Sequence, residues 1–152
     1  MAEELPMDIR PRAFAGVELF LDLVYIIQSF TELDLESTII YVCVAEATMR
    51  PVVLNATDGE AMRRAVTPPE DQRGAISRLL IADRTGLSRE TVRRRTNDLI
   101  RRGLLYEAAT GGVRVYPALA DDRQQKTVNE IFDAVQRYMN RLRQLGAETP
   151  NT

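Results

Sequence analysis

The apolar and polar positions between Ser88 and Gly103 follow a helical period. Ser88 is typical of a helix N-cap, and Gly103 is typical of the left-handed residue that follows a helix end. The face predicted to be buried, with three- and four-residue spacing, consists of Val92, Thr96, Leu99 and Ile100. The pattern therefore predicts a helix over Ser88–Arg102 with one buried face and one strongly basic face.

Shorter elements precede this helix. Residues 75–77 are strand-like and lead into a predicted helix over 77–84. Gly86 suits the tight turn between two helices, because glycine tolerates a positive φ. An earlier apolar run, Leu35–Met49, predicts another helix that ends before Pro51. Together these segments predict three helices that share one core.

A β-hairpin is predicted after the basic helix. Two alternating runs, Leu104–Glu107 and Val113–Tyr116, are separated by a loop that contains Gly111 and Gly112. Such a hairpin beside a helix-turn-helix forms a wing. Arg114 on the second strand is expected to meet a phosphate or the minor groove of DNA.

Both ends of the chain carry apolar helices. In Val17–Phe30, ten of fourteen residues are apolar. The segment is shorter than the about twenty residues of a membrane span, and Glu18 and Asp22 also argue against lipid. Residues 121–145 carry a heptad seam, which needs a partner helix. That partner is either the N-terminal helix of the same chain or a second subunit; the intertwined dimer is favoured. The residues predicted to form the dimer contact are Val17, Phe20, Val24, Ile27, Val128, Ile131, Val135, Tyr138, Leu142 and Leu145.

These elements predict a mainly α fold with a small β-wing (α+β), in which a winged helix-turn-helix carries N- and C-terminal helical extensions. The predicted parts are an N-terminal tail and dimerisation helix (1–34), a DNA-binding domain (35–117) and a C-terminal dimerisation helix and tail (118–152). Residues 52–73 are expected to be a loop with a short helix at 59–65.

The charge distribution separates the chain into regions of opposite sign. The net charge is −2, yet residues 73–116 hold ten arginines and four acids, a sum of +6. Residues 1–72 hold five arginines and thirteen acids (−8), and the remaining residues balance. Basic charge concentrated on one region favours binding of a polyanion there.

Composition argues against an enzyme. Histidine is absent, which removes the commonest general base and metal ligand, and no phosphate-cradling glycine loop is present. Cys43 alone makes neither a disulfide nor a zinc site; it is interpreted as a small buried hydrophobe rather than a redox sensor. No metal, cofactor or membrane contact is expected, and the absence of a secretory signal predicts a cytoplasmic protein.

The exposed face of the basic helix carries side chains that can read base edges. Arginine pairs with guanine, asparagine with adenine and glutamate with cytosine. The predicted base contacts are Arg89, Glu90, Arg93, Arg94 and Asn97. The side chains predicted to hold phosphates are Ser88, Thr91, Arg95 and Arg114.

The sequence SRETV at Ser88–Val92 resembles the start of the recognition helix in the Crp/Fnr family of bacterial regulators. The order of helices, turn and hairpin is similar to the family's winged helix-turn-helix. This resemblance implies that Arg89, Glu90 and Arg94 read bases. Arg95 stands where the family usually buries an aliphatic residue, so either its side chain extends past the core edge to a phosphate or the helix is slightly rotated.

The resemblance to the Crp/Fnr family is confined to residues 75–116. The family's cyclic-nucleotide barrel has no counterpart, because residues 1–72 are predicted to be helical. The layout of the whole chain is similar to the MarR-like group, in which helices on either side of a winged module dimerise.

The expected function is that of a sequence-specific transcriptional regulator that binds double-stranded DNA as a homodimer, with its recognition helix, Ser88–Arg102, in the major groove. Two alternatives stay open. One is a winged-helix module for protein interaction, whose arginine face docks on an acidic partner. The other is a regulator gated by a small hydrophobic effector, bound in an apolar cleft that Tyr25, Tyr41 and Tyr138 could line.

Overall fold

The computed structural model describes residues 4–55 and 67–147, which divide into two units. One unit, the helix pair, combines the described residues 4–32 and 122–147 from the two ends of the chain, and the other, the central unit, comprises the described residues 33–55 and 67–121. The described residues are mostly helical and include one small sheet, as the sequence predicts.

The central unit contains the predicted helices and hairpin. Its elements in chain order are α2 (Leu35–Leu54), a 3-10 turn (Glu70–Gln72), α3 (Arg78–Thr85), α4 (Arg89–Arg101), β1 (Leu105–Glu107) and β2 (Val113–Val115). The strands pair antiparallel, with Tyr106 opposite Arg114. Ile76 forms an isolated bridge to Val113, so the strand-like run at 75–77 contributes one bridging residue to this sheet.

Large aliphatic side chains from every helix and from both strands form the core of the central unit. Its most deeply buried members are Ile40, Val44, Ile81, Val92, Leu99, Leu105 and Val113. Thr48 links α2 to the sheet, because its hydroxyl donates to the carbonyl of Val44 (2.9 Å) and accepts from the amide of Val115 (3.3 Å). The predicted buried face of α4 is confirmed for Val92, Thr96 and Leu99, with Ile100 partly buried.

The sequence predicts that the helix starting at Leu35 ends before Pro51. This prediction is wrong, because α2 continues to Leu54. Proline removes one amide donor, yet the last turn is still closed by the amide of Asn55, which donates to the carbonyl of Pro51 (3.0 Å). The carbonyl of Ala47 faces Gly74 so closely that a Cβ built at Gly74 would lie 2.2 Å from it. The short helix predicted at 59–65 lies outside the described residues.

The helix pair consists of α1 (Ile9–Thr31) and α5 (Asp122–Gln144). Arg141 donates to both carboxylate oxygens of Glu18 (3.0 and 3.1 Å), and Arg137 approaches Asp22 (3.3 Å). These pairs run in opposite order along the two helices, so α1 and α5 are antiparallel. Helix α5 thus has a partner helix within the chain, and of its heptad seam Leu142 and Tyr138 pack in this contact.

Small side chains dominate the buried contact of the helix pair. The buried hydrophobic residues of this unit are Ala15 and Ile26 on α1, Ala134 and Leu142 on α5, and Ala147 shortly after α5. Large side chains remain on the surface instead, among them Phe20 and Phe132, which are 62% and 61% exposed. The helix pair therefore leaves large apolar side chains of both α1 and α5 exposed, and we refer to these side chains as its apolar face.

By length and hydropathy alone, α1 and α2 are long and apolar enough to cross a membrane. Core helices of soluble proteins and signal sequences meet the same criterion, so it is weak evidence for a membrane. In this structure α2 supplies Ile40 and Val44 to a core, and α1 carries Glu18 and Asp22 in ion pairs.

Candidate nucleic-acid interface

The start of α4 is fixed by the turn and cap that the sequence predicts. Gly86 adopts a left-handed conformation (φ 73°), and its amide donates to the carbonyl of Ala82 (3.0 Å). The hydroxyl oxygen of Ser88 accepts from the amide of Thr91 (3.1 Å) and also contacts the Thr91 hydroxyl (2.9 Å). Both predicted phosphate-holding hydroxyls therefore already take part in the N-terminal cap of the helix.

The outer face of α4 combines a paired and an unpaired set of charges. Arg93 donates to both carboxylate oxygens of Glu90 (2.7 and 3.0 Å), and these hydrogen bonds, together with the charge of Arg93, lower the pKa of Glu90. Arg89 and Arg94 are exposed and form no hydrogen bond or ion pair with any residue that the structure describes. Glu90 stays ionised at neutral pH, while two guanidinium groups beside it remain available to a ligand.

The side-chain oxygen of Asn97 is already engaged. Arg78, in the first turn of α3, donates to Asn97 Oδ1 (2.7 Å) and to Glu107 Oε1 on β1 (2.9 Å). The bidentate contact to adenine that the sequence suggests for Asn97 needs this oxygen as an acceptor. In this structure one of the two acceptor positions of Asn97 Oδ1 is occupied by Arg78, whereas both amide hydrogens stay available to a ligand.

Arg95 points toward the N-terminus of α2 rather than outward. Its guanidinium pairs with Asp34 (2.6 Å) and Glu36 (2.8 Å), and its side chain is 30% exposed. Burial raises the pKa of Asp34, but hydrogen bonds from Ser37 and the charge of Arg95 outweigh that effect and lower it. Instead of the phosphate contact expected from the sequence, Arg95 makes an ion-pair cluster that anchors α4 to α2.

Arg114 is buried, contrary to the expectation that it meets DNA. Its residue exposure is 8%, and its guanidinium donates to the carbonyls of Gly74 (3.1 Å) and Arg73 (2.9 Å) and to Glu70 (3.1 Å). Alternation along β2 suggests an outward side chain at this position. The segment before α3 covers it, so Arg114 ties the wing to that segment instead of reaching a phosphate.

The predicted dimer residues fall into two groups. Leu142 is buried with Ala15 and Ala147, and Tyr138 packs partly against this cluster, so both side chains hold the helix pair together. The predicted residues that remain exposed are Val17, Phe20, Val128, Val135 and Leu145. Those of intermediate exposure are Val24, Ile27 and Ile131.

A cleft between α1 and α5 has a polar lining. Its volume is about 450 Å³, and it is lined by Glu18, Asp22, Arg137, Asn140, Arg141 and Gln144. A hydrophobic effector would require an apolar lining, so this cleft does not match the one expected from the sequence. Tyr25, one of the three tyrosines that could line such a cleft, is 74% exposed.

Within residues 4–55 and 67–147, no three acidic or cysteine side chains lie close enough together to hold a metal ion. Cys43 is partly buried against the central core, and this burial raises the pKa of its thiol. Its surroundings suit a small hydrophobe, as expected.

Comparison with known proteins addresses the central unit. A family model described as winged helix-turn-helix DNA-binding matches residues 71–106, which span α3, the turn, α4 and the start of the wing. This region is a winged helix-turn-helix DNA-binding domain. The match is to the winged helix-turn-helix in general, so the likeness to the Crp/Fnr and MarR-like groups stays a prediction. No curated protein and no solved structure matches the chain.

The match at residues 71–106 supports DNA as a partner of this region, and such domains are typical of regulators rather than enzymes. Arg78 also contacts the exposed side of α4, although no pattern in the sequence identifies it. Its partners lie 19 and 29 residues further along the chain, beyond the range of any local spacing. Arg102, exposed at the end of α4 and unpaired among the described residues, was also overlooked, although its place in the arginine run was visible.

Proposed function

We propose that the protein is a sequence-specific transcriptional regulator that binds double-stranded DNA as a homodimer, with α4 in the major groove. The observation that carries this proposal is the outer face of α4. There, Arg89 and Arg94 stand exposed and unpaired beside the fixed Glu90–Arg93 pair. Unpaired guanidinium groups provide the donors that guanine O6 and N7 accept, and the pair offers a preset geometry for base discrimination.

Electrostatics supports a polyanion such as DNA as the ligand of this face. Residues 73–116 carry a net charge of +6 within a chain of net charge −2. Several of these arginines are consumed internally, since Arg78, Arg95 and Arg114 each pair with carboxylates of the central unit. The free positive charge is thereby concentrated on α4, where it favours phosphates on both sides of a groove.

The dimer is supported by the open apolar face of the helix pair. Phe20 and Val17 of α1 and Phe132 and Val128 of α5 are each about half exposed or more. A second copy would cover the same face on both subunits, as a twofold axis requires. Two recognition helices related by such an axis would read half-sites about 34 Å apart on a palindromic operator.

The proposal includes a cytoplasmic location, where the protein meets its DNA. The ion pairs of Glu18 and Asp22 on α1 support it, because charged pairs are costly within lipid. Fractionation of cells that express the full chain tests it. Recovery in the soluble fraction is expected, and recovery only in membranes after a salt wash would contradict this location.

The decisive experiment is selection of bound fragments from random duplex DNA by the purified full chain. Enrichment of a palindrome is expected. Arg94→Ala should then lower affinity for the selected operator by about 1–3 kcal/mol, with a smaller loss on random duplex, because a base contact is lost. The matched control, Arg10→Ala, removes the same exposed charge from α1 and should leave affinity unchanged.

Different results would overturn different parts of the proposal. Failure of the wild type to enrich any sequence, or binding that does not weaken with salt, would remove sequence-specific DNA binding. Enrichment of a single half-site together with a monomeric mass would remove the homodimer and leave DNA recognition intact. Equal losses for Arg94→Ala on operator and random duplex would remove its role as a base-reading residue.

A further inference from the structure

Arg78 lies at the point where three elements of the winged domain meet. From the first turn of α3 its Nη2 donates to Asn97 Oδ1 on α4 (2.7 Å) and to Glu107 Oε1 on β1 (2.9 Å). The Arg78 side chain is 30% exposed, so solvent screens this contact only in part. Glu107 thus holds the guanidinium in place while the guanidinium holds the Asn97 amide.

This contact fixes which end of the Asn97 amide is free. A guanidinium group only donates hydrogen bonds, so the amide oxygen must face it; the opposite orientation would place two donors against each other. The amide nitrogen, with its two hydrogens, is left for a ligand. Asn97 lies one turn beyond Arg93 and Arg94 and therefore shares their side of the helix.

We propose that Arg78 is a positioning residue that sets the base preference of Asn97. Because Arg78 holds the amide oxygen toward itself, Asn97 presents its two amide hydrogens to the groove and acts there mainly as a donor. It then favours the acceptor edges of guanine (N7 and O6) or thymine (O4) over adenine, whose edge needs a donor and an acceptor together. This inference rests on the proposed function, since it concerns one base position within the operator.

The test is selection from random duplex DNA with a set of variants of the full chain. Asn97→Ala identifies the base position concerned, because its preference should flatten there. The wild type should prefer guanine or thymine at that position. Arg78→Met removes the donors and keeps an apolar stem, so Asn97 regains its oxygen and adenine should gain about tenfold or more over guanine. The double variant Arg78→Met/Asn97→Ala should show no such gain.

A matched control and a second variant keep the test decisive. Arg84 lies on α3, as Arg78 does, and forms an ion pair with Glu46 (2.7 Å). Arg84→Met removes that ion pair but should leave the selected motif unchanged. Asn97→Asp keeps an acceptor for Arg78 and replaces the free donor by a second acceptor. Its preference should move to cytosine, whose N4 donates, and this result does not require Arg78→Met to fold.

Three outcomes would overturn the inference. A wild-type preference for adenine at the Asn97 position contradicts it directly. If Arg78→Met weakens binding to all sequences alike and flattens the salt dependence, Arg78 is a phosphate contact instead. If both Arg78→Met and Asn97→Asp retain the wild-type motif, Arg78 has only a structural role. Absence of any enriched motif for the wild type would instead refute the proposed function, and the inference would fall with it.

Discussion

The two units of the protein bury and expose opposite kinds of side chain. In the winged domain, large aliphatic residues such as Leu99 and Ile81 are fully buried, and the exposed face of α4 is charged. In the helix pair, alanines occupy much of the contact, and Phe20 and Phe132 face outward. A charged face is stable in water without a partner, whereas a broad apolar face is stabilised by being covered.

We expect the winged domain to be stable by itself, whereas the stability of the helix pair is expected to depend on association. Burying a large aliphatic side chain contributes about 1.5–3 kcal/mol, and the winged domain buries many of them. The small cluster around Ala15 and Leu142 in the helix pair buries much less area. We therefore expect substitutions in the two units to differ in what they disturb, and four variants test that difference.

The largest effect is expected in the core of the winged domain. Leu99→Ala should lower the free energy of unfolding by about 2–5 kcal/mol, because it removes buried methyl groups and leaves a cavity. Leu79→Ala, the same change at a position that is 49% exposed on α3, should stay within about 0.5 kcal/mol. Chemical denaturation monitored by circular dichroism measures both. Similar losses for the two variants would contradict the assignment of the core.

The next effect concerns association rather than folding. Phe20→Glu places a charge on the apolar face of the helix pair and should raise the dissociation constant of the proposed dimer about a hundredfold or more. Met7→Glu, at a residue that is 93% exposed and precedes α1, is the control and should leave the dimer intact. Sedimentation over a concentration series measures the change. A dimer unaffected by Phe20→Glu would place its contact elsewhere.

A smaller effect is expected where the wing meets the segment before α3. Arg114→Met should lower the free energy of unfolding by about 1–3 kcal/mol, because the carbonyls of Gly74 and Arg73 lose their buried donor. The salt dependence of DNA binding by the folded variant should not change. Arg102 is exposed, so Arg102→Met should reduce the salt dependence of DNA binding and have little effect on the free energy of unfolding. If Arg114→Met reduces the salt dependence of DNA binding, that result would support the phosphate contact expected from the sequence.

The smallest effect is expected at Arg95 and depends on pH. Arg95→Met should lower the free energy of unfolding by about 1 kcal/mol at neutral pH, because Arg95 pairs with two partly exposed carboxylates. The pKa of Asp34 is lowered in the folded protein, so its contribution is present above the unfolded pKa and is lost as pH falls through the folded pKa. The difference from the wild type should therefore shrink on acidification. A difference that persists when both carboxylates are protonated would indicate packing instead of ion pairing.

The sequence alone determined most of the local structure, because its signals act within a few residues. Ser88 caps the basic helix where the sequence predicts, Gly86 makes the turn, and the hairpin has its expected strands. The helix through Pro51 is the exception, since the loss of one donor near a helix end does not break the last turn.

The exposed arginines of α4 were also visible in the sequence, but the roles of the remaining polar residues were decided by tertiary structure. Arg114 bonds to residues about forty positions earlier, and Arg95 pairs with Asp34 across 61 residues. The antiparallel partner of α5 comes from the opposite end of the chain. A periodic pattern tells which face of a helix is apolar or charged, but a guanidinium group on a long stem bonds to whichever acceptor the fold brings near. For that reason the sequence determined where the arginines lie, and only the tertiary structure decided which of them remain free to meet DNA.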